Sequence, residues 1–250
     1  MRKIDLPPIP AQLTKDVQTR LTETFLKDPD KNVWNQPYIK EALLRMTEYK
    51  CVYSEVILQE NSCYMEIEHF YPKSLYPEKV VEWGNMLPVC KVCNSKKGDI
   101  DPNKVALINP LIDEPSEHIT FHHFQCSPLD EKGKNSIIYY DLNNLQQFQK
   151  PRFTQIQKNE EELERLAVEI EEGITDSAQV RLTNRLKVIL QTGQKTEPYS
   201  VCISLAITND KHYREIKAYL KRKEAWNRGL ETLDEGLTCN KAYKTGEEKE

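Results

Sequence analysis

The sequence contains no long uninterrupted run of apolar residues. A membrane-spanning helix needs roughly eighteen or more such residues, and no window of this chain approaches that length. The first residues, Met1–Pro8, also lack the apolar core of a secretory signal. These two absences argue against a membrane span and against secretion, so we expect a soluble protein in the cytoplasm.

An excess of positive charge is also lacking. The 35 Lys and Arg residues are outnumbered by 39 Asp and Glu residues, which gives a net charge of −4. A protein that grips long duplex DNA without help is usually basic. The charge therefore weakens, without removing, an autonomous DNA-binding function. Local basic patches, or a partner that brings the substrate, remain compatible with it.

A disulfide framework is not indicated by the cysteines. The chain has seven of them, and an odd number in a cytoplasmic protein argues against systematic pairing. Cys90 and Cys93 alone have the spacing that is typical of a metal-binding knuckle. With 250 residues and no internal repeat, the chain can form one large domain, or a small catalytic module with helical surroundings.

Hydrophobic periodicity predicts a mainly helical protein with short extended pieces in its middle. The predicted helices are Gln12–Phe25, Gln36–Tyr49, Asn159–Glu172, Asp176–Gln191 and Asn209–Leu233. The predicted strands are Cys63–Glu68, Met86–Val89, Ile119–Phe124 and Ser136–Tyr140, the last two joined by a turn at Gly133. Asn94 is a good N-cap residue and is predicted to open a further helix.

The central segment contains the side chains that phosphodiester hydrolysis requires. Glu68 and His69 are adjacent, Asn85 follows sixteen residues after His69, and Asn94 comes nine residues later. A histidine with a pKa near neutrality can take a proton from the attacking water. A divalent cation can polarise the phosphate and stabilise the leaving oxygen. Glu68 and Asn94 offer the oxygen ligands that Mg²⁺ prefers, so we predict one Mg²⁺ (or Mn²⁺) between them.

The order Glu68-His69, Asn85, Cys90-x-x-Cys93-Asn94 and Lys97 resembles the HNH endonuclease family, in the form where asparagine replaces the final histidine. The resemblance implies a ββα-metal hairpin and helix, and hence an α+β fold with this small module embedded in a mainly helical protein. It implies that His69 is the general base and that Glu68 and Asn94 bind the metal. Asn85 would brace the hairpin loop and orient the histidine. Lys73 and Lys97 are weaker candidates for phosphate binding.

A structural zinc ion is a second expectation, because many members of this family hold the hairpin with two Cys-x-x-Cys knuckles. Cys90 and Cys93 form one knuckle, whereas the other reads Cys51-Val52-Tyr53-Ser54. Serine is a poor zinc ligand because its hydroxyl is hard to ionise. Three explanations stay open: Cys63 supplies the fourth sulfur, Ser54 or water completes a weaker site, or zinc is absent and the thiols pack as small apolar groups.

The flanking residues resemble more narrowly the PtuB group of HNH proteins, which occur in Septu and retron anti-phage systems. The matching segments are 49–55, 108–119 and 140–144. The resemblance implies a role as toxic effector nuclease of a defence complex, with a PtuA-like ATPase as partner. In retron versions, a reverse transcriptase and its RNA–DNA hybrid join the assembly.

We therefore divide the chain into four parts: a helical segment (1–48), the HNH module (49–110), a C-terminal β-hairpin and helical region (111–235), and a disordered tail (236–250). Two other functions remain in view. A stand-alone HNH restriction or homing enzyme would cleave specific duplex sites by itself. A non-catalytic zinc-knuckle adaptor would tolerate substitution of Glu68 and His69. The sequence leaves the substrate open among double-stranded DNA, single-stranded DNA and RNA such as tRNA.

Overall fold

The computed structural model describes residues 1–60 and 63–237 of the chain. Helices dominate, and the strands form two separate two-stranded sheets. This arrangement is compatible with the α+β class that we predicted. Within the described ranges, no helix combines the length and the apolar character needed to cross a bilayer.

The helices and strands are numbered in chain order. The helices are α1 (Lys15–Lys27), α2 (Pro37–Met46), α3 (Lys91–Lys97), α4 (Glu131–Tyr139), α5 (Lys150–Glu172), α6 (Asp176–Thr192), α7 (Ser200–Asn209), α8 (Lys211–Arg222) and α9 (Arg228–Leu237). The strands are β1 (Met65–His69), β2 (Met86–Cys90), β3 (Ile119–His122) and β4 (Gln125–Pro128).

The chain forms two compact units. The first contains Met1–Ile119 and Pro128–Leu142, and the second contains Thr120–Ser127 and the chain from Asn143 onward. The predicted N-terminal helices and the central segment therefore belong to one unit, together with α4. The four-part division that we derived from the sequence stays a prediction.

Strands β1 and β2 pair in antiparallel fashion and lead directly into α3. His69 at the end of β1 lies opposite Met86 at the start of β2, and Glu68 lies opposite Leu87. Both strands were predicted, and both are confirmed with their bounds moved by one or two residues. All five residues of β2 are buried, because α2 and α3 also pack against this strand.

A small apolar cluster lies behind the end of β1. Phe25 of α1 packs with Val33, Val80 and Val81, and Trp34 contacts the same cluster. Helix α1 begins where the side chain of Thr14 accepts a hydrogen bond from the main chain of Val17. The predicted helix at this position is thus confirmed, and its packing fixes the segment that carries Val80.

The prediction that Asn94 opens a helix is wrong. Helix α3 begins at Lys91, and Cys90 is the N-cap residue with an extended main chain (φ −80°, ψ 156°). The turn of the Cys-x-x-Cys segment already starts the helix, so Asn94 lies in its fourth position. Gly98 ends the helix with φ 51° and ψ −138°, a conformation that favours glycine. Its N–H donates to the carbonyl oxygen of Asn94 at 3.0 Å.

The predicted strand at Ser136–Tyr140 is also wrong, because this segment belongs to α4. Asp130 caps the helix by accepting a hydrogen bond from the Gly133 N–H at 2.7 Å. Gly133 is not a turn residue. It lies in α4, where this helix packs closely against the main chain of His118. A Cβ atom there would lie 1.8 Å from the carbonyl oxygen of His118. The β-branched and aromatic composition of 136–140 indicates neither the helix cap at Asp130 nor the close contact at Gly133.

Strand β3 confirms most of the predicted strand at 119–124. It ends at His122, and the left-handed main chain of His123 (φ 50°) turns the chain towards β4. Strand β4 was not predicted.

The second unit contains five consecutive helices, α5 to α9, within the described residues. Helix α6 matches its prediction closely, whereas α5 begins nine residues before the predicted start. The single helix predicted at 209–233 is wrong, because two helices, α8 and α9, occupy most of this range. The helical conformation ends after α8, where Glu224 has a φ of 55°. Helix α7 was missed, because apolar residues surround most of its circumference and leave no clear period.

The predicted disordered tail, 236–250, lies outside the described residues except at its beginning. Gly236 and Leu237 complete the last turn of α9, and the side chain of Leu237 is buried.

Candidate functional site

A cavity of about 190 Å³ opens between the end of β1 and the C-terminal end of α3. Glu68, His69 and Asn94 all line it, so the structure brings together the three residues that we predicted around one cation. Asn85 and Lys97 are not among its lining residues. The full lining consists of Ile67, Glu68, His69, Pro72, Lys73, Asn94, Gly98 and Asp99.

The imidazole of His69 is held in one orientation by its surroundings. Its Nε2 atom lies 2.8 Å from the carbonyl oxygen of Val80. A carbonyl oxygen only accepts hydrogen bonds, so Nε2 carries the proton and Nδ1 keeps a free lone pair. The ring of Trp34 contacts the imidazole edge-on, with 5.1 Å between ring centroids. The hydrogen bond fixes the tautomer of the imidazole, and the contact with Trp34 restrains the orientation of the ring.

Burial lowers the pKa of His69 to about 4, although the hydrogen bond to Val80 acts in the opposite direction. The nearby positive charges of Lys73 and Lys97 lower it further. The imidazole is therefore neutral at pH 7 and able to accept a proton.

Glu68 is buried beside an internal cation. Its carboxylate forms an ion pair with the ammonium of Lys97, and the same ammonium donates to the carbonyl oxygen of His69 at 3.2 Å. Burial raises the pKa of Glu68 to about 7, and the charge of Lys97 opposes this rise. One ammonium does not fully offset the burial of the carboxylate, and a divalent cation at the same oxygens would offset it further.

The placement of Lys97 bears on its predicted contact with phosphate. Its side chain is buried, and a contact with substrate would require it to leave both Glu68 and the main chain of His69. The geometry favours a role as internal counter-ion. Lys73 is better placed for an anion, because it lines the cavity with its ammonium 5.1 Å from the centre of the Trp34 ring.

Asn94 contacts a residue that sequence reasoning had not assigned. Its Nδ2 atom donates to Oε2 of Glu66 at 2.7 Å. Glu66 and Glu68 are two residues apart on β1, so their side chains project from the same face of the strand. The structure therefore places a second carboxylate behind the amide of Asn94.

Asn85 is buried under the loop that follows β1. Its Oδ1 atom accepts from the N–H of Tyr71 at 2.8 Å, and its Nδ2 atom donates to the carbonyl oxygens of Tyr71 and Lys79, each at 3.1 Å. Its own carbonyl oxygen accepts from Phe70 at 3.0 Å. All of these contacts are with main-chain atoms of residues that directly follow His69 or precede Val80, and Asn85 is not among the residues that line the cavity.

The donor atoms of the cavity fit a hard divalent cation. Glu68 and Asp99 contribute carboxylates and Asn94 contributes an amide oxygen, and all three line the same space. Oxygen donors of this kind suit Mg²⁺ or Mn²⁺ and leave coordination positions for water and phosphate. No cysteine is among the described residues that line the cavity, so it offers a metal ion no thiolate ligand.

A second potential metal site is formed by cysteines. The sulfur atoms of Cys51, Cys90 and Cys93 all lie within 4.8 Å of one another, and all three residues are buried. This cluster could bind a metal ion such as zinc. Burial raises the pKa of Cys51 to about 12 and that of Cys93 well above its usual range, so a bound cation would have to displace their protons.

Two candidates for a fourth ligand lie beside this cluster. The hydroxyl oxygen of Ser54 is 3.7 Å from the sulfur of Cys90, and Ser54 is buried. Cys63 is half-buried, and a hydrogen bond with Cys90 lowers the pKa of its thiol. Both remain possible ligands, and the position of Ser54 matches that of the missing fourth cysteine in the sequence.

Sequence reasoning did not identify one residue that lines the cavity and two that contact His69. Asp99 follows the glycine that ends α3, and a carboxylate at that point could have been noticed from its proximity to Asn94 in the chain. Trp34 lies far from His69 in the sequence, and Val80 contributes only a main-chain oxygen. No side-chain pattern could reveal either contact.

Comparison with known proteins gives two relatives and no matching family model. A Septu protein PtuB from Bacillus thuringiensis is 37% identical over 229 residues, which cover 88% of this chain and 87% of the relative. A Septu protein PtuB from Bacillus mycoides (strain KBAB4) is 30% identical over 164 residues, or 52% of this chain and 55% of that relative.

Proposed function

The chain belongs to the PtuB family of Septu proteins, and we propose that it is the metal-dependent HNH endonuclease of an anti-phage defence complex. The observation that carries this proposal is the cavity in which Glu68, Asn94 and the neutral imidazole of His69 meet. The antiparallel β1–β2 pair followed by α3 supports it, because that order of elements is what an HNH module requires.

In this function, His69 takes the proton from the attacking water. The oxygen of that water forms a bond to phosphorus, and the bond from phosphorus to the 3′ oxygen breaks. The proton passes to Nδ1, while Nε2 stays hydrogen-bonded to the carbonyl oxygen of Val80. This hydrogen bond stabilises the imidazolium that forms. Because the ring cannot rotate without losing this hydrogen bond, Nδ1 keeps its direction during the step.

Glu68, Asn94 and Asp99 would hold the cation. A bound Mg²⁺ or Mn²⁺ would polarise the phosphate and stabilise the charge on the departing oxygen. Lys73 would attract the substrate backbone to the mouth of the cavity, which it lines with its ammonium beside the Trp34 ring. Asn85 would keep the loop between β1 and β2 in the conformation that presents the Val80 carbonyl to His69.

The cysteine cluster would support this module at a distance from the reacting phosphate. Cys93 and Asn94 are neighbours on α3, so a zinc ion at the cluster would hold the helix that carries a cation ligand. We propose a structural role for such an ion. A PtuA-like ATPase is the proposed partner, and a reverse transcriptase with its RNA–DNA hybrid is the additional partner expected in a retron setting.

The function is tested with the purified chain, alone and co-purified with its ATPase, on duplex DNA, single-stranded DNA and tRNA. We expect cleavage of at least one substrate with Mg²⁺, loss of cleavage with EDTA, and recovery when Mg²⁺ is restored. Recovery by Mg²⁺ alone separates the cavity cation from a zinc ion at the cysteines. Equal cleavage by wild type and His69→Ala would contradict the role of His69, and no cleavage of any substrate by either protein would favour an adaptor function.

A further inference from the structure

We propose that Glu66 is a positioning residue, which fixes the amide of Asn94 so that its oxygen atom faces the cation site. This inference rests on the proposed function of the cavity and names a residue that the HNH resemblance does not assign. Glu66 lies on β1 opposite Val89, and its carboxylate accepts a hydrogen bond from Asn94 Nδ2 at 2.7 Å.

The carboxylate selects one of two orientations of the amide. An unrestrained asparagine amide can rotate by about half a turn, which exchanges its oxygen and nitrogen atoms at similar energy. An ionised carboxylate only accepts hydrogen bonds, so it admits the nitrogen and repels the oxygen. The bond between Nδ2 and Glu66 therefore directs Oδ1 of Asn94 away from β1. A cation needs that oxygen, because the amide nitrogen carries no available lone pair.

Glu66 acts through Asn94 and not as a ligand of its own. Asn94 lines the cavity, whereas Glu66 is not one of the lining residues. Glu66 is half-buried, and the carboxylate oxygen that faces Asn94 is engaged by the amide. When a residue that hydrogen-bonds to a metal ligand and orients it is removed, metal affinity commonly falls by about 10- to 100-fold.

The experiment measures Mn²⁺ binding by electron paramagnetic resonance in the wild type, Glu66→Ala, Glu66→Gln, Asn94→Ala and the Glu66→Ala/Asn94→Ala double variant. We expect Glu66→Ala to weaken binding about 10-fold. Glu66→Gln should lose less, because its amide oxygen can still accept from Asn94. In the Asn94→Ala background, Glu66→Ala should have no further effect. Glu78→Ala is the control, since it removes an exposed carboxylate of equal charge outside the cavity.

Three results of this experiment would overturn the inference. Wild-type Mn²⁺ affinity in Glu66→Ala would show that the contact does not orient the ligand. A further loss in the Asn94→Ala background would make Glu66 a direct ligand. If the wild type binds no Mn²⁺, both this inference and the proposed function are contradicted.

A second readout on the metal-free protein separates the inference from the proposed function. The side-chain amide protons of Asn94 should resonate downfield in nuclear magnetic resonance spectra of the wild type and shift upfield in Glu66→Ala. Unchanged amide resonances would overturn the role of Glu66, even where the enzyme cleaves nucleic acid. Shifted resonances in a protein that binds Mn²⁺ but cleaves nothing would contradict only the nuclease.

Discussion

The imidazole of His69 and the main-chain carbonyl of Val80 are joined by a 2.8 Å hydrogen bond, although the residues are separated by eleven positions in the chain. Val80 is also part of the apolar cluster formed with Phe25 and Val33. The protonation site on the imidazole is therefore set by the packing of α1 against the loop between the strands. The geometry proposed for catalysis therefore depends on a helix outside the β1–β2–α3 segment.

Replacement of His69 by alanine should lower the cleavage rate by about 10²–10⁴-fold, because the attacking water loses its base. The fold should persist with a loss of about 1–3 kcal/mol, since the Val80 carbonyl loses its donor and Trp34 loses a packing partner. Initial cleavage rates and urea unfolding measure the two effects. Glu78→Ala is a control for a neighbouring exposed change. A variant that cleaves at the wild-type rate would remove His69 from the mechanism.

Replacement of Asn85 by alanine should destabilise the protein by about 2–4 kcal/mol, because three buried hydrogen bonds to the main chain are lost. Asn85→Asp keeps the acceptor for Tyr71 but lacks the two donated bonds, so it should also be destabilised. Urea unfolding at neutral pH gives the comparison. A loss below about 0.5 kcal/mol in the alanine variant would be inconsistent with a bracing role, whatever its activity.

Replacement of Ser54 by cysteine should increase the affinity for zinc, because a fourth thiol would join three sulfurs that already lie within 4.8 Å of one another. Zinc affinity is measured by competition with a chromogenic chelator, and thermal unfolding is followed with and without chelator. Cys63→Ser is the matched variant. If it lowers zinc affinity in the wild-type background and Ser54→Cys changes nothing, Cys63 is the fourth ligand.

Replacement of Gly133 by alanine should destabilise the first unit by about 3 kcal/mol, because the new Cβ would lie 1.8 Å from the His118 carbonyl oxygen. Gly84→Ala is the control, since its Cβ would meet only the side chain of Leu6 at 3.7 Å. Thermal unfolding of both variants measures the difference. Equal midpoints would show that α4 shifts without cost.

Much of the β1–β2–α3 segment could be predicted from the sequence, because its information is local. The alternation before His69, the knuckle at Cys90 and Cys93, and the asparagines between and after them occur within thirty residues of one another. Their chain order indicated the elements and the residues that now line one cavity. The start of α3 was predicted wrongly because Asn94 is a favourable N-cap residue, whereas the helix already begins in the turn of the Cys90–Cys93 knuckle.

The remaining errors have a common physical origin in tertiary contacts. Ser136–Tyr140 has strand-like composition, yet the Asp130 cap and the close approach of Gly133 to His118 make it helical. The contact of Glu66 with Asn94 joins residues on different elements, β1 and α3. The contact of His69 with Val80 uses a main-chain oxygen, which the type of side chain at position 80 does not reveal. Such features depend on how elements pack, which a pattern along one chain does not encode.

Helix α3 is only seven residues long, yet Cys93, Asn94 and Lys97 all belong to it. One thiol of the cluster, the amide of Asn94 and the ammonium beside Glu68 thus share two turns of backbone. Any change that unwinds these turns should therefore disturb the cysteine cluster and the cavity together.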